Sequence, residues 1–248
     1  MKKLINLSLT ILFPLIYGII ILTGCEPEIT PSEQGNPYQK NRSLIINPSV
    51  SLQYQILLPE SFDSTLAYPA VLALPPGAQS INEVEWAINL YYIQQSIQRN
   101  WLVISPVAPE GVRFHEGSEV YIPVLLDDVM KSFKIENAKF HLAGISSGGT
   151  SAFRVATEFP ERFKSLTVFP GVPLEEDQAF LGNMINMIVT MYVGENDDED
   201  WVSASEKTAD SLDSLGVDVT FQIWSDNSHV ISSLSSSYLF DLFDSYRP

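Results

Sequence analysis

The feature that most constrains the fold is a glycine- and serine-rich turn between a predicted strand and a predicted helix. The apolar run Phe140–Ala143 leads into Gly144–Gly148, whose sequence is GISSG, and a helical pattern follows over 150–159 until Pro160. In a turn this sharp, side chains two positions before and after the central serine would collide with it. Glycine at both ends of the segment removes the collision and tolerates unusual dihedral angles. The pattern therefore predicts an α/β sheet with a serine hydroxyl exposed at the carboxyl edge.

The turn contains two adjacent serines, and their flanking residues distinguish them. Ser146 has a glycine two positions away on both sides, whereas Ser147 has Ile145 on one side. Isoleucine is β-branched and suits a strained turn poorly, so the spacing favours Ser146 as a nucleophile. The start of the following helix offers free N–H groups and a dipole that stabilise a developing oxyanion.

This segment resembles the nucleophile elbow, G-x-S-x-G, of the α/β-hydrolase superfamily. The resemblance implies the α/β-hydrolase fold, in which helices cover both faces of a mostly parallel central sheet. It also implies a catalytic triad whose acid and then histidine follow the serine along the chain. Strand and helix patterns alternate from about Ser51 to the C-terminus, as this α/β fold requires, and no segment is predicted to form a cap domain.

Hydrophobic periodicity assigns the remaining elements. The first strand, at 51–59, alternates and is expected at an antiparallel edge of the sheet. Other strands are predicted over 69–74, 101–105, 165–169, 187–193 and 217–224, and helices over 82–98, 120–133, 177–181, 204–215 and 230–246.

The resemblance places the catalytic acid in the acidic segment after the strand at 187–193. Family members often carry the aspartate three positions after a glycine that ends this strand, which selects Asp197. Counting backward from Trp201, where the next helix turns apolar, selects Asp198 instead. Both stay open, with Asp197 preferred, and Asp200 is a candidate helix cap.

The family's catalytic base is a histidine in the loop after the last strand, and His229 occupies that position. The chain has three histidines. His141 lies inside the strand that precedes the elbow, so we expect a histidine of the core. His115 lies in the loop 106–118, near the expected site but at no triad position.

Two backbone N–H groups are expected to form an oxyanion hole. One belongs to Ser147, which follows the nucleophile, and the other to the turn after the strand at 69–74. Many relatives carry His-Gly in that turn, whereas this chain has Pro76 before its glycine. Proline has no N–H, so the second donor is expected to be Ala78, with Gln79 less favoured. The missing histidine weakens assignment to any one subfamily.

The N-terminus has the pattern of a targeting segment. Lys2 and Lys3 precede an apolar stretch over 4–22, which ends in Leu-Thr-Gly and then Cys25, the only cysteine of the chain. This resembles a bacterial lipoprotein signal, with cleavage before Cys25 and acylation of its thiol and its new amino group. We therefore predict a signal peptide over 1–24, a lipidated extended tether over 25–48 and an α/β-hydrolase domain over 49–248. The protein is expected in the bacterial cell envelope, facing outside the cytoplasm.

The acidic charge of the chain limits which molecules it can bind. The chain has 14 basic and 30 acidic residues, a net charge of −16. Such a surface repels nucleic acid and anionic lipid headgroups. We expect a small-molecule ester as substrate, membrane contact through the lipid anchor only, and neither a cofactor nor a metal ion.

The resemblance implies a serine carboxylic-ester hydrolase that forms an acyl-enzyme through Ser146, Asp197 and His229. The chain looks most like small, uncapped members, namely esterases, the phospholipase and carboxylesterase group, dienelactone-hydrolase-like enzymes and polyhydroxybutyrate-depolymerase-like enzymes. Two alternatives stay open. One is a serine peptidase of the same fold, and the other is a lipid-anchored binding protein that retains the fold without turnover.

Overall fold

The computed structural model describes residues 36–247. The predicted signal peptide, Cys25 and the first part of the predicted tether lie outside the described residues. Over 36–247, none of the helices combines the length and the apolar character needed to cross a bilayer.

Ten strands and six α-helices make up the described part of the chain. The strands are β1 Gln39–Asn47, β2 Val50–Leu57, β3 Ala67–Tyr68, β4 Ala70–Leu74, β5 Leu102–Pro106, β6 Lys134–Ile135, β7 Phe140–Gly144, β8 Phe163–Val168, β9 Ile188–Gly194 and β10 Asp218–Trp224. The helices are α1 Ile81–Ala87, α2 Ile93–Arg99, α3 Ile122–Ser132, α4 Ser147–Glu158, α5 Glu199–Ser214 and α6 Tyr238–Ser245. A π-helical turn, Ile88–Tyr92, joins α1 to α2, and a 3-10 segment, Glu175–Met184, precedes β9.

Eight of the strands form one sheet in the order β1-β2-β5-β4-β7-β8-β9-β10. The pairs β1–β2 and β2–β5 are antiparallel, and every other pair in this sheet is parallel. The remaining strands, β3 and β6, form a separate two-stranded parallel ladder. The α/β fold class predicted from the sequence is confirmed, and no cap domain occurs among residues 36–247.

Two apolar layers cover the two faces of the sheet. Successive side chains of β4 alternate between them, because residues of a strand point to opposite faces in turn. Leu72 and Leu74 pack with α3, α4 and α5 on one face. Val71 and Ala73 pack with α1 and α6 on the other. The central parallel strands are thus buried on both sides, and their carboxyl ends meet at one edge.

The predicted tether is wrong over Gln39–Asn47, which forms β1 and pairs along its length with β2. Only Leu44 and Ile46 of this strand pack against the core, and its other side chains are mostly exposed and polar. The apolar alternation is therefore too short to predict a strand. Because β1 forms the edge of the sheet, β2 lies inside it rather than at the edge.

The single helix predicted over 230–246 is also wrong. A 3-10 turn, Ser232–Ser235, is followed by the shorter helix α6. The run of serines between 232 and 237 explains the difference, since serine hydroxyls compete for backbone hydrogen bonds and favour turns. The residues after His229 consequently form a loop at the carboxyl edge.

Candidate active site

Ser146 lies at the sharp turn between β7 and α4, in a backbone conformation that few residues adopt. Its φ is 55° and its ψ is −122°, outside the regions allowed to most side chains. Its N–H donates to the carbonyl of Pro170 at 2.7 Å. A Cβ at Gly144 would lie 2.3 Å from the Gly148 oxygen, and a Cβ at Gly148 would lie 2.3 Å from the Leu74 oxygen. The two glycines therefore permit a turn that holds the serine at the top of the sheet.

His229, in the loop after β10, faces Ser146. Its Nε2 lies 2.8 Å from the Ser146 Oγ. Its Nδ1 lies 3.0 Å from each carboxylate oxygen of Asp197. A carboxylate only accepts hydrogen bonds, so Nδ1 carries the ring proton and leaves Nε2 free to accept one from the serine.

Asp197, just beyond β9, is the acid that the structure brings to His229. Its side chain is 3 % exposed, whereas the His229 side chain is 36 % exposed. The neighbouring alternative, Asp198, instead caps α5, because its side chain accepts a hydrogen bond from the Asp200 N–H at 3.0 Å. The cap role considered for Asp200 thus belongs to Asp198. The Asp198 N–H in turn donates to Asp197 at 2.8 Å, which helps to orient that carboxylate.

The loops that carry the acid and the histidine are joined by backbone hydrogen bonds. The Asn196 N–H donates to the Asn227 carbonyl at 2.8 Å, and the Glu195 N–H donates to the Trp224 carbonyl at 3.0 Å. The loops approach closely at Gly194, where a Cβ would lie 2.2 Å from the Ser228 oxygen. The glycine that ends β9 is thus a condition for placing the histidine beside the acid.

The two predicted oxyanion donors lie on neighbouring segments. Ser147 is the first residue of α4, so its N–H has no acceptor within the helix. Ala78 is exposed in the turn after β4, and over residues 36–247 its N–H has no protein acceptor. The less favoured Gln79 N–H donates to the Pro76 carbonyl at 3.1 Å. The Ser147 hydroxyl donates to the Gly77 carbonyl at 2.7 Å and so joins the two segments.

Trp201 was considered in the sequence only as the apolar start of a helix, but it packs against the histidine. Its ring centroid lies 5.1 Å from that of His229, with the planes at 61°. This edge contact restricts the tilt of the imidazole. The sequence offered no signal for it beyond the nearness of Trp201 to the acid.

The other two histidines lie away from the triad position. His141 is 4 % exposed and its Nδ1 lies 2.8 Å from the Ser165 Oγ. Burial lowers the pKa of His141 to about 4, and the charges of Lys164 and Arg247 act in the same direction. His115 is half-buried, with its Nδ1 2.7 Å from the Ser151 Oγ.

The surroundings of the site are acidic. Five exposed carboxylates lie in the loops that carry the acid and the histidine and in the first turn of α5, namely Glu195, Asp198, Glu199, Asp200 and Asp226. Repulsion from these groups disfavours an anionic substrate. Among residues 36–247, no three His, Cys, Asp or Glu side chains are grouped so that they could hold a metal ion.

No protein-family model matches this sequence, and no curated protein matches it. Solved structures do resemble it. A thermostable esterase matches with a TM-score of 0.67 and 15% identity over 84% of this chain and 62% of its own. An S-formylglutathione hydrolase from Agrobacterium tumefaciens matches with a TM-score of 0.61 and 15% identity over 84% of this chain and 94% of its own.

A third structure shows how widely this fold is used. A protein from Bacteroides ovatus, described provisionally as a dipeptidyl aminopeptidase IV, matches with a TM-score of 0.63 and 11% identity. The match covers 84% of this chain and 35% of that protein. Likenesses at these identities establish the fold alone, which is the α/β-hydrolase fold. The chemistry must therefore be argued from the site.

Proposed function

We propose that this protein is a serine hydrolase that cleaves carboxylic esters. The observation that carries the proposal is the continuous hydrogen-bonded row from the Ser146 hydroxyl through His229 to the Asp197 carboxylate. It stands at a strained strand-to-helix turn beside two N–H groups, the arrangement that acyl transfer requires.

The proposed reaction begins when His229 Nε2 removes the Ser146 proton as the serine oxygen attacks the ester carbonyl. Asp197 keeps the imidazole in the required tautomer and stabilises its protonated form. The Ala78 and Ser147 N–H groups hold the negative oxygen of the tetrahedral intermediate. His229 then protonates the departing alcohol, and an acyl-enzyme remains on Ser146. Water, deprotonated by His229, attacks the acyl-enzyme. The bond to the Ser146 oxygen then breaks, His229 returns the proton to that oxygen, and the carboxylic acid departs.

The charge of the site narrows the class of ester. The acidic loops around the acid and the histidine favour uncharged or cationic substrates over anionic ones. Comparing an uncharged ester with its succinyl half-ester of similar size measures this preference. We expect at least tenfold lower kcat/KM for the half-ester at low salt and a smaller difference at 0.5 M salt, where charges are screened.

Membrane attachment is a separate proposal that rests on the sequence. We propose that Cys25 is acylated in the bacterial cell envelope and that the domain faces outside the cytoplasm. Metabolic labelling with an alkyne fatty acid should mark the wild-type protein and not Cys25→Ser. Equal labelling of both proteins, or of neither, would contradict the anchor.

The decisive test of the ester proposal is hydrolysis of p-nitrophenyl esters over a range of acyl lengths. We expect activity in the wild type and a loss of about 10⁴-fold or more in Ser146→Ala. The matched control is Ser147→Ala, which removes the adjacent hydroxyl but keeps its backbone N–H, and which should retain activity within about tenfold.

Equal inactivity of the wild type and Ser146→Ala on every ester would contradict the proposal. Two further assays then separate the alternatives. Cleavage of peptide p-nitroanilides would favour a serine peptidase. Failure to react with a serine-directed fluorophosphonate would favour a binding protein without turnover.

A further inference from the structure

Gln79, the residue after the proposed oxyanion donor Ala78, combines an unfavourable backbone with a fully buried polar side chain. Its φ is 58°, in the left-handed region where non-glycine residues are uncommon. Its exposure is 0%. A long amide side chain at such a position must be held by specific partners, because a buried polar group without them is costly.

The Gln79 side chain has a partner on each end of its amide. Its Nε2 donates to the Ser151 Oγ at 2.8 Å. Its Oε1 accepts from the Phe114 N–H at 2.9 Å. The Gln79 carbonyl also accepts from the Ala108 N–H at 2.8 Å. One residue therefore ties the oxyanion turn to helix α4 and to the loop between β5 and α3.

Ser151 continues this connection toward the nucleophile. It is fully buried on α4 and follows Ser147 by four positions, so both side chains leave the same face of the helix. Its Oγ lies 2.7 Å from His115 Nδ1. With the His115 proton on Nε2, the hydrogen bonds run in one direction, from the Gln79 amide to the Ser151 hydroxyl to the imidazole.

This direction of hydrogen bonding requires a neutral His115 ring, and the surroundings of His115 favour one. Burial lowers its pKa, and a backbone hydrogen bond to Ser147 raises it in part. Of the charges around it, Arg113 and Arg154 lower the pKa of His115, and Glu116 raises it. A neutral imidazole leaves Nδ1 able to accept from the Ser151 hydroxyl. His115 therefore contacts both Ser151 and the first residue of α4.

We infer that Gln79 and Ser151, supported by His115, are positioning residues that fix the spacing between the Ala78 and Ser147 N–H groups. This inference rests on the proposed function, because the spacing matters only if both groups bind an oxyanion. The Ser147 hydroxyl bond to the Gly77 carbonyl joins the same two segments at the surface. Gln79 and Ser151 join them in the interior, where water cannot replace the lost bond.

Two substitutions at position 79 separate hydrogen bonding from backbone strain. Gln79→Gly relieves the left-handed strain but removes the side chain. Gln79→Leu keeps most of the volume and the strain but removes both hydrogen bonds. If Gln79 served only as a turn residue, the glycine variant would match or exceed the wild type in activity. If its hydrogen bonds position the donors, both variants should lose kcat.

We expect kcat for p-nitrophenyl esters to fall about 10- to 100-fold in both variants, with KM within about threefold. This is less than the loss on deleting an oxyanion donor, because the donors are displaced rather than removed. Ser151→Ala should lose about 5- to 20-fold, and Ser151→Thr, which restores the hydroxyl, should recover most of it. The control is Thr157→Val, which removes a buried hydroxyl of the same helix that bonds only within α4 and should leave kcat unchanged.

Hydrogen exchange at positions 79 and 80, whose N–H groups donate to the Pro76 carbonyl and to the Glu83 carboxylate, gives a readout that does not depend on turnover. Exchange in this turn should rise about tenfold in Gln79→Gly and Ser151→Ala and stay unchanged in Thr157→Val. Unchanged exchange in the first two variants overturns the inference even if the wild type cleaves no ester. The inference is also overturned if the two variants exchange faster but keep the kcat of the wild type, provided that the activity depends on Ser146. If the wild type cleaves no ester while exchange is faster in the two variants, the proposed function is contradicted. The catalytic role inferred here is then contradicted with it.

Discussion

The two sides of the candidate site are held in different ways. On the nucleophile side, backbone segments touch so closely that a Cβ at Gly148 or Gly149 would lie 2.3 or 2.4 Å from a carbonyl oxygen. On the acid and histidine side, exposed loops are joined by hydrogen bonds, such as that from the Asp226 N–H to the Glu195 carboxylate at 3.2 Å. The first side is fixed by steric exclusion in the interior. On the second side the close backbone approach at Gly194 involves the exposed residue Ser228, and the other contacts that join the loops are polar.

This difference suggests a division of labour. The serine and its oxyanion donors must hold one geometry, which close backbone packing enforces. In the proposed reaction the imidazole accepts and returns a proton, and it does so from an exposed loop and not from the close-packed interior. A side chain that crowds the backbone on the nucleophile side should therefore affect stability first, and one that crowds the other side should affect activity first.

The largest effect expected on the acid and histidine side comes from the acid. Asp197→Asn should lower kcat by about 10³- to 10⁴-fold, because an amide can donate to Nδ1 and stabilise the wrong tautomer. The free energy of unfolding should change little, which circular dichroism in urea would check. The matched control, Asp198→Asn, keeps a side chain that can cap α5 and should stay within a few fold of the wild type. A larger loss in Asp198→Asn than in Asp197→Asn would reassign the acid.

The next prediction compares the same substitution, glycine to alanine, on the two sides of the candidate site. Gly148→Ala places a Cβ between the Leu74 and Pro75 carbonyl oxygens, at 2.3 and 2.4 Å, in the buried interior. We expect a loss of about 3 kcal/mol or more in the free energy of unfolding. Gly182→Ala, where a Cβ meets nothing within 4 Å, serves as the control and should be close to neutral.

Gly194→Ala makes the same change beside the histidine loop, with its Cβ 2.2 Å from the Ser228 oxygen. Because Ser228 lies in an exposed loop, the loop can shift, so the loss of stability should be only about 1–2 kcal/mol. The shift moves His229 from Ser146, and kcat should fall at least tenfold. If Gly194→Ala proved as destabilising as Gly148→Ala yet fully active when folded, the division between the two sides would be wrong.

The last comparison uses acidic pH to destabilise the nucleophile side. His141 lies in β7, and burial lowers its pKa to about 4 from an ordinary 6.5. The unfolded chain therefore binds more protons between these values, so stability is full above about pH 6.5 and is lost as pH falls toward 4. The loss attributable to this group is at most about 3 kcal/mol.

The measurement is urea unfolding of the wild type and His141→Gln at pH 7 and pH 4.5. Glutamine does not titrate, so the variant should lose less stability than the wild type over this interval, by about 2 kcal/mol. Equal pH dependence in the two proteins would show that other groups account for the acid sensitivity.

The nucleophile side could be predicted from the sequence, because steric exclusion leaves a local pattern. The glycines at 144 and 148 selected Ser146 over Ser147 within five residues. On the other side, a shift of one residue in an exposed loop changes which aspartate meets His229. The sequence leaves both Asp197 and Asp198 possible for that reason, because counting forward from Gly194 selects the first and counting backward from Trp201 selects the second.

Contacts between distant segments left no such pattern. Gln79, His115 and Ser151 lie in three separate segments, and nothing local to any of them predicts a common network. Strand β1 escaped prediction because an edge strand buries few side chains. The break before α6 was missed because the apolar spacing over 230–246 continues across the serine run that favours a turn there. The roles of Gln79, His115 and Ser151 depend on contacts that form only after the sheet assembles.

Strand β1 also sets how far the domain can stand from a membrane. Because the sheet begins at Gln39, only 13 residues, 26–38, separate it from the proposed lipid attachment at Cys25. A segment of that length spans at most about 45 Å, whatever its conformation. An anchored domain of this kind would sample a thin shell of solvent next to the bilayer. Its effective concentration there would exceed that of a freely diffusing protein, so esters held at or released from the envelope surface would encounter it first.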